Sequence, residues 1–246
     1  MKIFLTEKNI DGILSALYLC FTEKILPDEI QEKTIYQPKI DAITINVETN
    51  KEHSERVKKA LFEYGGNDII ALMRICLKSC DPQAAITAFN YGYLTLTEKS
   101  DISERMEYKL VSDFSYIVQK VLHERHIVSG FLRFKESKNG VLYAQYSPDN
   151  DITDLLAPHF LRRLGSIPFI IHDVKRGVVS ISNGNAIKTT KTNLPPHFTP
   201  SEKENFTCEL WRRYYKEINI KERKNLRQQD RFIPRRYRAY TFETWE

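Results

Sequence analysis

Between Glu107 and His126 the apolar residues Leu110, Val111, Phe114, Ile117, Val118, Val121 and Leu122 recur at i, i+4, i+7 and i+8. That is the stripe of an amphipathic α-helix of about five turns. A few residues later the period drops to two. Phe131 to Lys135 and Val141 to Tyr146 read as strands, and Asn139-Gly140 between them is the turn signal of a hairpin. Alternation in the first strand predicts Phe131, Arg133 and Lys135 on one face and Leu132 and Phe134 on the other. A helix that must bury a stripe, followed by strands that must bury a face, makes this an α+β chain.

The flanking sequence fills in that class. Lys2 to Leu5 reads as a short strand, Asn9 or Asp11 can cap a helix reaching Phe21, and Ala42 to Val47 has strand composition. Glu52 to Tyr64, Asp68 to Ser79 and Pro82 to Leu96 read as three helices, the last opened by Asp81-Pro82. Asp151 to Leu164 begins as a helix that Pro158 is expected to break or restart. A restart would put His159 in a first turn with free backbone N–H groups, a phosphate pocket; the alternative is a kinked core helix with a surface histidine. Pro168 to Asp173 and Gly177 to Ser182 read as a further strand pair, and Asn183 to His197 as a polar loop. Thr199-Pro200-Ser201-Glu202 matches a capping box, and Phe206, Leu210, Trp211, Tyr214, Tyr215 and Ile218 then form the expected buried stripe of a helix. The expectation is thus a mainly helical part over residues 1–84 with a few short strands. Residues 85–246 then carry an antiparallel sheet of about four strands flanked by helices, with a basic helical carboxyl end.

Several function classes drop out. No apolar run approaches the ~20 residues of a membrane span and the amino end lacks the pattern of a secretory leader, so a cytoplasmic location is expected. The four cysteines make no disulfide framework in a chain of 246 residues. Cys76 and Cys80 are spaced to share a helix face, but Gln83 stands where a radical-SAM cluster would need a third cysteine. No zinc partners lie nearby, so both read as buried helix cysteines, with no metal or cofactor expected. P-loop, GxGxxG, GxSxG and HExxH patterns are all absent.

The charge is placed. From Trp211 to Arg238 eleven Lys or Arg face three acids, a local +8 in a chain whose net charge is +5, so the remainder is about −3. A basic stripe with interleaved aromatics fits a polyphosphate partner, and a solvated helix face is the alternative. The nucleic-acid-binding candidates are Arg133, Lys135, His159, Lys175, Arg176, Arg212, Arg213, Lys216, Arg223, Lys224, Asn225, Arg227, Arg231, Arg235, Arg236 and Tyr237. Acid–base candidates reduce to His159, His172 and Asp173. Adjacent strand residues point to opposite faces, so His172 and Asp173 cannot form a simple pair.

Several blocks, in order, resemble a bacterial family of probable DNA metabolism proteins. They are Gly130-Phe131-Leu132-Arg133-Phe134, Tyr143 to Asn150, Leu155 to Phe160, Ile171-His172-Asp173 with Lys175-Arg176-Gly177, Lys221 to Asn225 and Phe232 to Tyr237. In that family this domain of unknown function is encoded with a radical-SAM protein related to DNA repair lyases, or fused to a uracil-DNA-glycosylase-like domain. The resemblance implies an accessory DNA-binding component beside such a partner, without implying a reaction. An enzyme acting on a damaged or modified base and an adaptor docking a repair enzyme are the alternatives.

Overall fold

The computed structural model describes the chain except for residues 193–196, 219, 221–224, 226, 229, 231–232 and 242–246. Two compact units divide between Leu122 and His123. That division falls inside one helix, α5 (Lys109–Phe131).

The first unit is built on a three-stranded parallel sheet, order β2-β1-β3, from β1 (Lys2–Thr6), β2 (Glu29–Glu32) and β3 (Ile43–Asn46). Helix α1 (Ile10–Glu23) makes the crossover that lets β1 and β2 run parallel. Asn9 caps it, its Oδ1 accepting from Gly12 N at 2.8 Å. The expected helices follow as α2 (Lys51–Gly65), α3 (Ile69–Leu77) and α4 (Ala84–Glu98). Phe4, Leu14, Leu17, Leu61, Met73 and Phe89 are fully enclosed in one apolar cluster. The cysteine expectation needs correction: Cys76 is buried in α3, its thiol pushed up to about 12 chiefly by burial. Cys80 lies beyond the end of that helix and is exposed, so the two share no helix face.

The second unit carries a five-stranded sheet, order β4-β5-β6-β7-β8. Its strands are β4 (Lys135–Glu136), β5 (Leu142–Tyr146), β6 (Phe169–Asp173), β7 (Val178–Ser182) and β8 (Ile187–Lys191). Three neighbouring pairs are antiparallel, but β5 and β6 are parallel because α6 (Thr153–Leu164) crosses between them. The expected sheet of about four antiparallel strands therefore gains a fifth strand and one parallel pair. The fifth, Ile-Lys-Thr-Thr-Lys, lies in the segment read as a polar loop; its β-branched residues suit a half-exposed edge.

Two further expectations change at the ends of helices. Phe131 is the last residue of α5 rather than the first of a strand, so the hairpin keeps only Lys135 and Glu136 on its first arm, with Gly140 at φ +73° in the turn. Pro158 sits inside α6 without interrupting it. The ring faces solvent while Leu156, Ala157 and Phe160 are buried on the other side, and their packing outweighs the one backbone bond that proline removes. His159 is consequently mid-helix, where backbone N–H groups are spent within the helix, and no first-turn phosphate pocket forms there.

The sheet has two distinct faces. Tyr146 and Ser180 point toward α6, with Tyr146 Oη 2.9 Å from Thr153 Oγ1 and Ser180 Oγ 3.4 Å from Thr153 O. By alternation Ala144, Ile171 and Asp173 share that face, while Tyr143, Gln145, Ile170, His172 and Ile181 occupy the opposite, outer face. Gly184 turns β7 into β8 at φ +91°, where an added Cβ would lie 2.2 Å from Ser166 O. Gly184→Ala should lower unfolding free energy by about 2 kcal/mol or more, read as an earlier urea midpoint.

Candidate nucleic-acid interface

The outer sheet face holds two adjoining cavities. The first, about 260 Å³, is lined by Arg133, Lys135 and Gln145 from the strand side and by Ala239, Tyr240 and Thr241. The second, about 290 Å³, lies over the hairpin turn and is lined by Ser137, Lys138, Asn139, Ile170, His197 and Thr199. Tyr143 and Phe198 line both. Their rings stack at 4.9 Å between centroids and 25° between planes, and so form the wall between the two cavities. Among the described residues, every charged side chain lining either cavity is basic. Lys188, opposite Ile181 in the ladder, extends the cationic outer face to the far edge of the sheet.

Behind the wall, Tyr143 Oη is 2.8 Å from His172 Nδ1, and His172 is 5% exposed. Burial pushes the His172 imidazole below its ordinary pKa, and the Asp173 charge only partly opposes this. Asp173 lies on the other face with no exposed surface, so adjacency in sequence does not become a pair. His159, on α6, is held below its ordinary pKa by burial and by Arg163, Arg162 and Arg125. The three acid–base candidates therefore do not meet in one cavity.

Helix α7 (Glu202–Ile218) follows Phe198 and Thr199, which line the cavities, with three residues or fewer between. Ser201, not Thr199, caps it: Ser201 Oγ accepts from Glu204 N at 3.1 Å. Glu204 Oε2 accepts from Glu136 N at 2.9 Å and Ser201 N donates to Glu136 O at 2.9 Å, which ties the start of the helix to β4. Burial and the Glu204 hydrogen bond raise the Cys208 thiol, against the opposing charges of Lys135 and Arg212. The expected core stripe of α7 is corrected, since the helix buries none of its residues. Phe206 is 67% exposed, Tyr214 51% and Trp211 38%. Periodicity shows which residues share a face; it does not require that anything pack against it. Arg212, Arg213 and Lys216 are exposed on the same helix, with Arg213 held 2.7 Å from Glu209.

Other basic candidates serve the architecture. Glu124, 7% exposed, accepts from Asp149 N at 2.9 Å, Asn150 N at 2.8 Å, Asn150 Nδ2 at 2.7 Å and the Tyr237 hydroxyl. Tyr237 lies in the short helix α8 (Arg235–Arg238) and is 1% exposed, its ring 4.9 Å from that of Phe131. Its place on a nucleic-acid surface is thus corrected, because the residue is a buried anchor. Arg236 pairs with Asp149 at 2.7 Å and approaches Glu124 at 3.6 Å. Arg176 donates to Pro148 O and Asp173 Oδ2 at 3.0 Å each, and to Asp149 O. Arg176 thus supplies the counter-charge of the fully buried Asp173, while the close partner of Arg236 is Asp149, whose side chain is 42% exposed. Lys175 is exposed at the β6–β7 turn, Arg235 pairs with Asp230 at 3.1 Å, and Asn225 and Arg227 are exposed. Arg223, Lys224 and Arg231 lie outside the described residues.

Charge counting found Arg133 and Lys135 but missed the residues around them. Tyr143 and Gln145 are legible as one face of β5; Phe198 arrives from a connecting segment and has no periodic signal. Among the described residues no group of three His, Cys, Asp or Glu is arranged to hold a metal, and no helix is long and apolar enough to cross a membrane.

An α+β unit with a helix on one sheet face and a cationic, aromatic cleft on the other is the class that this geometry defines. The chain belongs to the family described as DUF4130, a domain of unknown function, whose model matches residues 82–243. No curated protein matches the chain.

Glu124→Ala should cost about 3–5 kcal/mol, because it strands the groups converging on a buried carboxylate. Tyr237→Phe should cost only about 1–2 kcal/mol, and urea denaturation distinguishes the two. The depressed histidines give stability that is full above the unfolded pKa of about 6.5 and is lost as pH falls through the folded values, since the unfolded chain takes up protons first. Urea midpoints taken between about pH 6.5 and 5.5 should therefore fall less steeply in His172→Gln than in the parent chain.

Proposed function

We propose that this chain is a nucleic-acid-binding accessory protein of DNA repair or base modification, acting beside a radical-SAM or uracil-DNA-glycosylase-like enzyme. One observation carries the nucleic-acid part: among the described residues, the paired cavities of the outer sheet face are lined by bases and by no acid. Arg212, Arg213 and Lys216 add exposed cations on α7, among exposed aromatic rings and beside the acids Glu209 and Glu217. Phosphates attract such a surface and polar or aromatic groups within it can meet bases. The repair setting and the partner enzyme rest on the resemblance of the sequence blocks alone. The rival in which His159, His172 and Asp173 process a base lacks the convergence on one pocket that such chemistry needs.

Fluorescence anisotropy with labelled DNA across a salt series tests the reading. Binding should weaken with salt, and Arg133→Glu with Lys135→Glu should weaken it further and flatten the log–log slope by about 0.7 to 0.9 per lost phosphate contact. Absence of binding at low salt, or binding indifferent to the paired substitution, overturns it.

A further inference from the structure

We propose that the outer sheet face takes single-stranded nucleic acid, with two successive bases parted by the Phe198–Tyr143 wall and one base seated in each cavity. This rests on the nucleic-acid reading above and narrows its ligand from DNA in general to an unpaired strand.

Size and shape argue first. Cavities of about 260 and 290 Å³ lie just under the lower end, about 300 Å³, of pockets that take small organic ligands. Each is of a size to seat a single base. Duplex reading uses an element that projects into a groove, such as a helix or a two-stranded ribbon. Here the surface is concave, so the strand must bring its bases outward, as unpaired strands do when they lie on aromatic-bearing sheets.

Chemistry argues second. An aromatic wall between two base-sized hollows is the place where neighbouring bases would unstack from each other and stack on protein instead. Each hollow has a carboxamide able both to donate and to accept at a base edge: Gln145 in one and Asn139 in the other. Each also has cationic groups for the backbone, Arg133 and Lys135 on one side of the wall and Lys138 on the other. The repeated set of cation, carboxamide and shared ring gives each of two nucleotides a group for its phosphate, its base edge and its base face. A free phosphate or a single anion would need only one half of it.

The test compares labelled oligothymidylate and oligoadenylate with a duplex of equal length, by anisotropy at low salt, for the parent chain, Phe198→Ala and Gln145→Ala. The single strand should bind more tightly than the duplex. Phe198→Ala should weaken single-strand binding about 5-fold or more, the loss of one stacked base, and leave duplex binding unchanged. Gln145, exposed on its strand, can be replaced without disturbing packing, so Gln145→Ala carries the test if Phe198→Ala perturbs the cleft. Its expected effect is a changed preference between thymidylate and adenylate strands. Equal or tighter duplex binding, or single-strand binding indifferent to both substitutions, overturns the inference while leaving the DNA-binding reading in place. If neither form of DNA binds, both fall together.

Discussion

The second unit depends on the enclosure of the Glu124 carboxylate. A buried carboxylate is tolerable only when donors surround it, and Glu124 gathers them from Asp149, Asn150 and Tyr237. Those donors come from the loop that leads into α6 and from a helix residue 113 positions beyond Glu124, so one side chain fixes three stretches of chain. The anchorage of Tyr237 also sets where Ala239 to Thr241 can run, and these residues line the cavity beside Arg133. The cleft therefore inherits its wall from a polar contact that no ligand would touch.

The same arrangement sorts the charges. Asp173, Asp149 and Glu124 are matched by Arg176 and Arg236, while Arg133, Lys135 and Lys138 line the outer cavities with no acid among the described lining residues. A net charge of +5 says little about where a partner would be held. The pairing of Arg176 with the fully buried Asp173 and of Arg236 with Asp149 says more, because a cation already matched by an acid adds less to the surface field. The rings of Phe206, Trp211 and Tyr214 on α7 add exposed apolar area of their own.

Much of the fold was legible because it rests on local rules. The 107–126 periodicity, the Asn139-Gly140 turn and the helices of the first unit all follow from spacing and turn chemistry. The parallel β5–β6 pair was not, since pairing direction depends on where α6 sends the chain. Pro158 misled because a local penalty was outweighed by burial of its neighbours, and α7 because an amphipathic pattern cannot report an absent partner surface. Of the candidate site, Arg133 and Lys135 were found by their charge. Their setting was hidden because Phe198 and Tyr240 approach from stretches without periodicity. Tyr237 looked like part of a basic surface, and only the distant Glu124 explains its burial.

The two margins of the sheet have a consequence of their own. At one margin, β4 is two residues long and its continuation is occupied by Pro200, bridged to Ser137. At the other, β8 carries Lys188 and Lys191 in a row of five residues. A short covered margin and a lysine-bearing one both discourage another strand from adding to the ladder. Growth of the sheet by backbone pairing is thereby opposed in both directions, and whatever this unit meets must approach across its surface, side chain first.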